Sequence, residues 1–62
     1  MNTYAEVKAG TPCRIIKSDG STPLVHYAKD DLLKATNQWL TEITCGSVIF
    51  HESNVRLIKP QR

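Results

Sequence analysis

Residues 39–58, WLTEITCGSVIFHESNVRLI, constrain the fold of this chain more than any other segment, because they hold its only Trp and its only Phe. The runs SVIF and VRLI are short and rich in β-branched residues, a composition typical of strands. The polar residues 51–54 between them suffice for a single turn, and Gly46 marks a tight connection just upstream. Two short strands are therefore predicted near the end of the chain, and the fold depends on what precedes them.

The preceding segment, from Lys29 to Thr44, fits a helix as well as a pair of strands. At the helical period, one face of the segment collects five apolar side chains: Leu32, Ala35, Trp39, Leu40 and Ile43. Asp30 or Asp31 would cap the start of such a helix, and Gly46 would end it in a left-handed turn.

At a period of two, the same segment forms two strands separated by a turn at residues 36–38. One side of these strands then carries Leu33, Ala35, Trp39 and Ile43. The Thr residues and Asn37 disfavour a helix relative to straight-chain residues, and WLTEIT is rich in strand formers. We therefore predict that residues 32–44 are extended and reverse direction near Asn37.

Upstream, a turn signal separates two further strand candidates. The run CRIIK ends at Ser18-Asp19-Gly20-Ser21, which favours a turn, and PLVHY follows it. A hairpin is predicted at about residues 12–27. Residues 1–9 are expected to form an N-terminal arm or a short edge strand, and residues 59–62 a frayed tail of the same single domain, 1–62.

These elements together predict a mostly β fold, a small five-stranded barrel. The alternative is an α+β fold in which two β-hairpins pack on one helix at about 30–44. A chain this short buries only about 60% of the surface that its unfolded form exposes, so association into a homo-oligomer is one expected route to stability. Most of the core is expected from nine residues: Val7, Ile15, Val25, Leu33, Ile43, Val48, Phe50, Val55 and Leu57.

The run LLKATNQWLTEITCGSVIFHESNVRLI resembles the second half of an SH3-like β-barrel. The run has the same order of elements as that half of the barrel: a strand, a polar turn, a strand opening on Trp, a Gly turn, a strand, one helical turn and a closing strand. VKAGTPCRII resembles the Gly-then-strand beginning of bacterial SH3 and KOW-type domains, so the resemblance covers roughly residues 7–58. It implies a ligand surface that includes Trp39, beside a one-turn helix of Glu52, Ser53 and Asn54.

The chain departs from the SH3 pattern at two places that matter for ligands. It has no ALYDY-like aromatic motif, and His51 to Asn54 stands where SH3 domains have Pro-Ser-Asn-Tyr. Polyproline recognition needs aromatic walls around an extended left-handed helix. The resemblance therefore implies the fold rather than a polyproline ligand.

Trp39 fits two interpretations, a core filler or a contact residue. The chain has only four aromatic residues, which favours a core position for the largest of them. However, Trp and Tyr dominate the energy of many interfaces, so Trp39 with Tyr27, Tyr4 and Asn54 forms a candidate partner-binding patch. We expect a small non-enzymatic module that binds a larger protein as an adaptor, regulator or inhibitor.

Nucleic-acid binding of the KOW kind is the alternative function. The net charge is only +2, and both signs are interleaved along the chain, unlike the basic stripe typical of nucleic-acid-binding domains. Phosphate contacts would fall on a modest basic face. This face consists of Arg14, Lys17, Arg56 and Lys59.

No catalytic residue, metal or cofactor is expected. The residues that zinc prefers are Cys13, His26, Cys45 and His51, and they lack the closely spaced pair that lets one turn present two ligands. The N-terminal run MNTYAEVKAG has no apolar stretch, so no signal peptide is expected and the two thiols are expected to be reduced. The chain is expected to be cytoplasmic without a membrane segment, typical of accessory proteins of bacteria, phages or plasmids.

Overall fold

The computed structural model describes residues 2–59 and shows a mostly β protein. One turn of 3-10 helix, Glu52–Asn54, follows the seventh strand. Eight short strands make up the rest of the regular structure in this range: β1 (Tyr4–Val7), β2 (Pro12–Ile15), β3 (Leu24–His26), β4 (Asp31–Lys34), β5 (Asn37–Trp39), β6 (Glu42–Cys45), β7 (Val48–His51) and β8 (Arg56–Ile58).

The strands form two antiparallel sheets, of order β4-β1-β8 and β3-β2-β7-β6-β5. One extended segment connects them, because β4 belongs to the first sheet and β5 to the second. The Ala35 N–H donates to the Thr3 carbonyl at 2.8 Å, whereas the Thr36 N–H donates to the Thr44 carbonyl at 2.7 Å. The chain therefore changes sheets between residues 35 and 36.

The core combines large side chains with small ones that let the backbone segments approach closely. Phe50 and Ile43 are fully buried, and Tyr27 packs edge-to-face against Phe50 with ring centroids 5.6 Å apart. The buried apolar set is Ala5, Val7, Cys13, Ala35, Ile43, Cys45 and Phe50. Five other aliphatic side chains pack around this set: Val25, Leu33, Val48, Val55 and Leu57. The core prediction is thus confirmed except for Ile15, which is half-buried outside it.

The predicted hairpin at residues 12–27 is confirmed. β2 pairs with β3, with Cys13 opposite Val25. In the connecting turn, the Asp19 carboxylate accepts from the Ser21 N–H at 2.9 Å and from the Ser21 hydroxyl at 2.7 Å. Gly20 has a φ of 87°, a left-handed conformation that glycine adopts without steric cost.

The prediction of an arm or edge strand at residues 1–9 is wrong. β1 is the middle strand of its sheet, with Ala5 opposite both Leu33 and Leu57. Ala5 and Val7 are fully buried. The sequence concealed this strand because one of its two inward positions is Ala, which gives little hydrophobic signal.

The alternative helix at 30–44 is also wrong, since β4, β5 and β6 occupy that segment. The extended backbone is confirmed, but its reversal lies at Leu40 and Thr41 rather than near Asn37, because Trp39 is paired with Glu42. Near Asn37 the chain passes from one sheet to the other instead. The predicted five-stranded barrel matches only in part: one of the two sheets has five strands, the other has three, and the sheets do not close into a barrel within residues 2–59.

Candidate protein-binding face

One side of the five-stranded sheet faces away from the core. A row of directly opposite residues crosses all five strands in the order Leu24, Arg14, Ile49, Thr44 and Asn37. Directly opposite residues place their side chains on the same side of a sheet, and successive residues alternate. Because the alternate residues Cys13, Phe50 and Ile43 are buried, this row belongs to the solvent side, which we call the outer face.

A second row on the outer face carries the most exposed aromatic side chain. Trp39 lies opposite Glu42, and Glu42 lies opposite His51. On the neighbouring hairpin, Pro12 lies opposite His26. The outer face therefore has an indole at its β5 edge and polar side chains next to it.

A groove of about 260 Å³ crosses the outer face. Ligand pockets in proteins usually measure about 300–1,000 Å³, so this groove suits a few side chains rather than a whole cofactor. β2, β3, β6, β7 and the 3-10 turn contribute its lining: Pro12, Cys13, Arg14, Leu24, Glu42, Ile49, Phe50, His51 and Asn54.

The groove holds two charged residues that make no ion pair with another described residue. These are Arg14 and Glu42, which lie on the same side of the sheet with β7 between their strands. The ion pairs found among residues 2–59 are elsewhere: Lys29 with Asp31 at 3.9 Å, and Arg56 with Glu6 at 3.1 Å. Both charges of the groove are therefore available to a ligand.

The imidazole of His51 has a structural role at the edge of the groove. Its Nδ1 accepts from the Ser53 N–H at 3.1 Å, which caps the 3-10 turn. The Ser53 hydroxyl lies 2.6 Å from the same nitrogen. An Nδ1 that accepts a hydrogen bond carries no proton, so the neutral ring is protonated at Nε2.

The β5–β6 turn exposes two large apolar side chains, Trp39 at 69% and Leu40 at 76%. Leu40 has a φ of 54°, in the left-handed region that bulky side chains rarely adopt. The Glu52 N–H donates to the Thr41 carbonyl at 2.8 Å, which ties the turn to the 3-10 helix. The core interpretation of Trp39 is therefore wrong; Gln38, the residue before it, is opposite the buried Ile43.

The four residues predicted to form the partner-binding patch do not all lie together. Trp39 is on the outer face and Asn54 lines its groove. Tyr27 is half-buried against Phe50. Tyr4 lies in the other sheet, opposite Ile58 and Lys34.

The predicted basic face is divided between the two sheets. Arg14 is on β2, and Lys17 follows it in the turn, where its N–H donates to the Ser21 carbonyl. Arg56 is on β8 and is paired with Glu6, and Lys59 follows this strand. The strand next to β8 is β1 rather than β2, so the four basic residues do not meet on adjacent strands.

The two cysteines and the two histidines lie on opposite sides of the five-stranded sheet. Cys13 and Cys45 are buried free thiols, and burial raises the pKa of both. β7 separates their strands, and two strand spacings of about 4.8 Å exceed the Cα separation of about 7 Å that a disulfide tolerates. Within residues 2–59 no group of side chains is arranged to hold a metal ion.

No family model matches this chain, and no curated protein or solved structure matches it either. The part of the chain that is described has no helix long and apolar enough to cross a membrane. The function of the chain is therefore inferred from the outer face itself.

Sequence reasoning missed most residues of the groove. Glu42, Ile49, Leu24 and Pro12 were not predicted as site residues, although all have alternating positions on short strands. The alternation of side chains along each strand could have identified them. Once the β5–β6 turn is placed at residues 40–41, this alternation shows which residues of the neighbouring strands lie on the outer face.

Proposed function

We propose that this chain is a non-enzymatic protein-binding module that holds a segment of a larger protein against its outer face. The observation that carries the proposal is the 69% exposure of Trp39 on the same side of the sheet as the groove. Such a module would act as an adaptor, a regulator or an inhibitor of the larger protein.

The energetics of the exposed apolar groups support binding. Burying a large apolar side chain stabilises a complex by about 1.5–3 kcal/mol, and Trp is enriched among the residues that dominate interfaces. Leu24, at the other end of the outer face, is 67% exposed. A partner that covers both ends of the face would gain binding free energy from burying Trp39 and from burying Leu24.

The chemistry of the groove supports binding rather than catalysis. Cys13 lines the groove but is buried, Cys45 is not part of the lining, and burial raises the pKa of both thiols, which opposes thiolate formation. The Nδ1 of His51 is engaged by Ser53, so this nitrogen is not free to act as a base. A groove of about 260 Å³ is also small for a pocket that would exclude water from a reacting group.

We further propose that the two sheets are arranged as in SH3-like domains. The bent segment β4–β5, the Gly46 turn, and the single 3-10 turn before β8 support this arrangement. So does the pairing of the first strand with the last. One difference bears on the ligand: Trp39 closes β5, and Glu42 opens β6 in its place.

The proposal is tested with a matched pair of variants. Trp39→Ala removes the exposed indole, and Leu32→Ala removes a side chain that is 54% exposed on the other sheet. Partners are captured from extracts of the producing cell with both variants and the unchanged chain. We expect Trp39→Ala to weaken capture of one defined partner roughly 30-fold, the effect of a 2 kcal/mol hot spot, and Leu32→Ala to preserve it.

Equal capture by both variants would remove Trp39 from the site and contradict the proposal. Nucleic-acid binding is separated by retention on heparin, because phosphate contacts weaken steeply with salt. The proposal expects no retention at about 150 mM salt, and retention that depends on Arg14 and Lys17 would favour the KOW-like alternative.

A further inference from the structure

We propose that the groove recognises an extended peptide segment with an acidic and a basic side chain four residues apart and an apolar side chain midway between them. This inference rests on the proposed protein-binding function and specifies its ligand. It depends on the two charges of the groove that have no partner among the described residues, Arg14 and Glu42.

The sheet register sets the separation of these two charges. Arg14 shares a row with Ile49 and Thr44, and Glu42 lies two residues before Thr44 on β6. Two strand spacings across the sheet and two residues along it give a separation on the order of 12 Å. In an extended peptide, side chains i and i+4 lie on the same side and about 13 Å apart. One strand-like segment can therefore reach both charges.

The surroundings of each charge determine which ligand charge it takes. The guanidinium of Arg14 matches a carboxylate, with which it forms two parallel hydrogen bonds. Glu42 attracts a Lys or Arg side chain, and Trp39 lies directly opposite it, with Cβ atoms about 5 Å apart. A cation at this position is attracted by the charge of the carboxylate and also by the π face of the indole.

The position between the two charges has an apolar side chain, Ile49, on one side of it. Ile49 lies on β7 between the strands of Arg14 and Glu42, and it is half-buried in the floor of the groove. Ile49 is opposite Arg14 and His51 is opposite Glu42, so the midway residue of the peptide, i+2, falls between Ile49 and His51. A Leu or Val at this position would bury the exposed part of Ile49.

The dimensions of the face favour a peptide over a second copy of this chain. Five strands of three or four residues make a face of roughly 24 by 13 Å, on the order of 300 Å². A stable protein complex needs about 800 Å² from each partner. A nucleic acid fits less well, because Glu42 would repel its phosphates.

The test uses the intact chain and two fluorescein-labelled peptides with blocked ends. The first contains DTLTR, with its charges at i and i+4; the second contains DTLRT, with the same composition and the charges on opposite sides. Fluorescence anisotropy at about 50 mM salt should give a Kd at least tenfold lower for DTLTR, a difference of about 1.4 kcal/mol.

A change of specificity provides the decisive variant. The Glu42→Lys variant should bind DTLTR at least tenfold more weakly than the unchanged chain does. It should bind a peptide with DTLTE at least tenfold more tightly than the unchanged chain does. Leu32→Lys, which introduces the same side chain at a 54% exposed position of the other sheet, is the control and should preserve the preference for DTLTR. Thermal unfolding checks that each variant is folded, since exposed substitutions change stability by about 0.5 kcal/mol or less.

Two results would overturn the inference. One is equal affinity for DTLTR and DTLRT; the other is dimerisation of the chain in sedimentation that Glu42→Lys abolishes, which would assign the face to a second copy. Its failure is distinct from that of the proposed function. If capture of the native partner depends on Trp39 but not on Glu42, the binding module stands and the peptide specificity is wrong.

Discussion

At the scale of single residues, the turn between β5 and β6 combines an unfavourable backbone conformation with exposed apolar side chains. Leu40 is 76% exposed and has a φ of 54°. The left-handed region costs a side-chain-bearing residue about 1–2 kcal/mol, and Gly or Asn adopts it more readily. A positive φ at the first turn residue but not at the second is typical of a type II′ hairpin, which favours Gly there.

We expect Leu40→Gly to raise the stability of the fold by about 0.5–1 kcal/mol, because it relieves the left-handed conformation at Leu40. For a domain of this size that corresponds to a rise in Tm of about 2–8 °C by calorimetry. Thr41→Gly is the matched control, since Thr41 has no positive φ, and it should not raise Tm. If the two variants shift Tm equally, the strain is not at Leu40.

His51 offers a second prediction, because its ring caps the 3-10 turn through Nδ1. His51→Ala should lower the free energy of unfolding by about 1 kcal/mol, the usual effect of losing a side-chain cap. His26→Ala, which removes the exposed histidine of β3, should change it by less than about 0.5 kcal/mol. Urea denaturation measures both, and nitrogen-15 NMR of the neutral ring should show the proton on Nε2.

At the scale of elements, strands could be predicted from the sequence where typical turn residues mark their ends. The β2–β3 hairpin was predicted because Ser18-Asp19-Gly20-Ser21 is an unambiguous turn signal, and β7, the 3-10 turn and β8 were predicted for the same reason. The β5–β6 turn carries Leu40 and Thr41, which are not turn formers. The change of direction was therefore predicted near Asn37 instead of at residues 40–41. For the same reason the sequence favoured a core position for Trp39, which is exposed.

The inward positions of β2 and β6 carry the two thiols, and their burial has a consequence at alkaline pH. Because the folded state raises both thiol pKa values above the ordinary 9.0, it binds these protons more tightly than the unfolded chain does. Their contribution to stability is full below about pH 9 and is lost as pH rises through the folded pKa values.

We therefore expect the urea midpoint to fall between pH 8 and pH 10.5 by more in the unchanged chain than in a Cys13→Ala, Cys45→Ala variant. The native thiols should also resist iodoacetamide until urea unfolds the protein, and a reducing agent should leave the Tm unchanged. Rapid alkylation of the folded chain would show that the two strands open readily.

At the scale of the whole molecule, a core of few large side chains supports a small fold. A domain of 62 residues has a total stability of roughly 3–9 kcal/mol. Phe50 is fully buried at the contact with Tyr27, and Phe-to-Ala substitutions in cores cost about 3–5 kcal/mol. One substitution there is comparable to the whole stability.

Phe50→Ala should therefore leave a large fraction of the chain unfolded at 25 °C, as measured by circular dichroism. Trp39→Ala is the matched control, since it removes a larger ring that is 69% exposed, and it should retain the β-sheet spectrum. A folded Phe50→Ala variant, or an unfolded Trp39→Ala variant, would contradict the assignment of these two rings.

Local sequence determined the properties that depend on neighbours along the chain. Period-two alternation set the extended backbone of residues 32–44, turn residues set the β2–β3 hairpin, and hydrophobicity marked Val7, Ile43 and Phe50 as core. These follow from interactions over a few residues, which the order of amino acids specifies directly.

Only the tertiary structure decided how the strands combine. β1 is central because β8, some fifty residues later, pairs with it, and the passage of β4 into β5 divides one extended segment between two sheets. The outer face exists because β2 lies beside β7, which brings Arg14 and Glu42 onto one surface. Strand partners are chosen by the burial of side chains from distant segments, and no local pattern contains that choice.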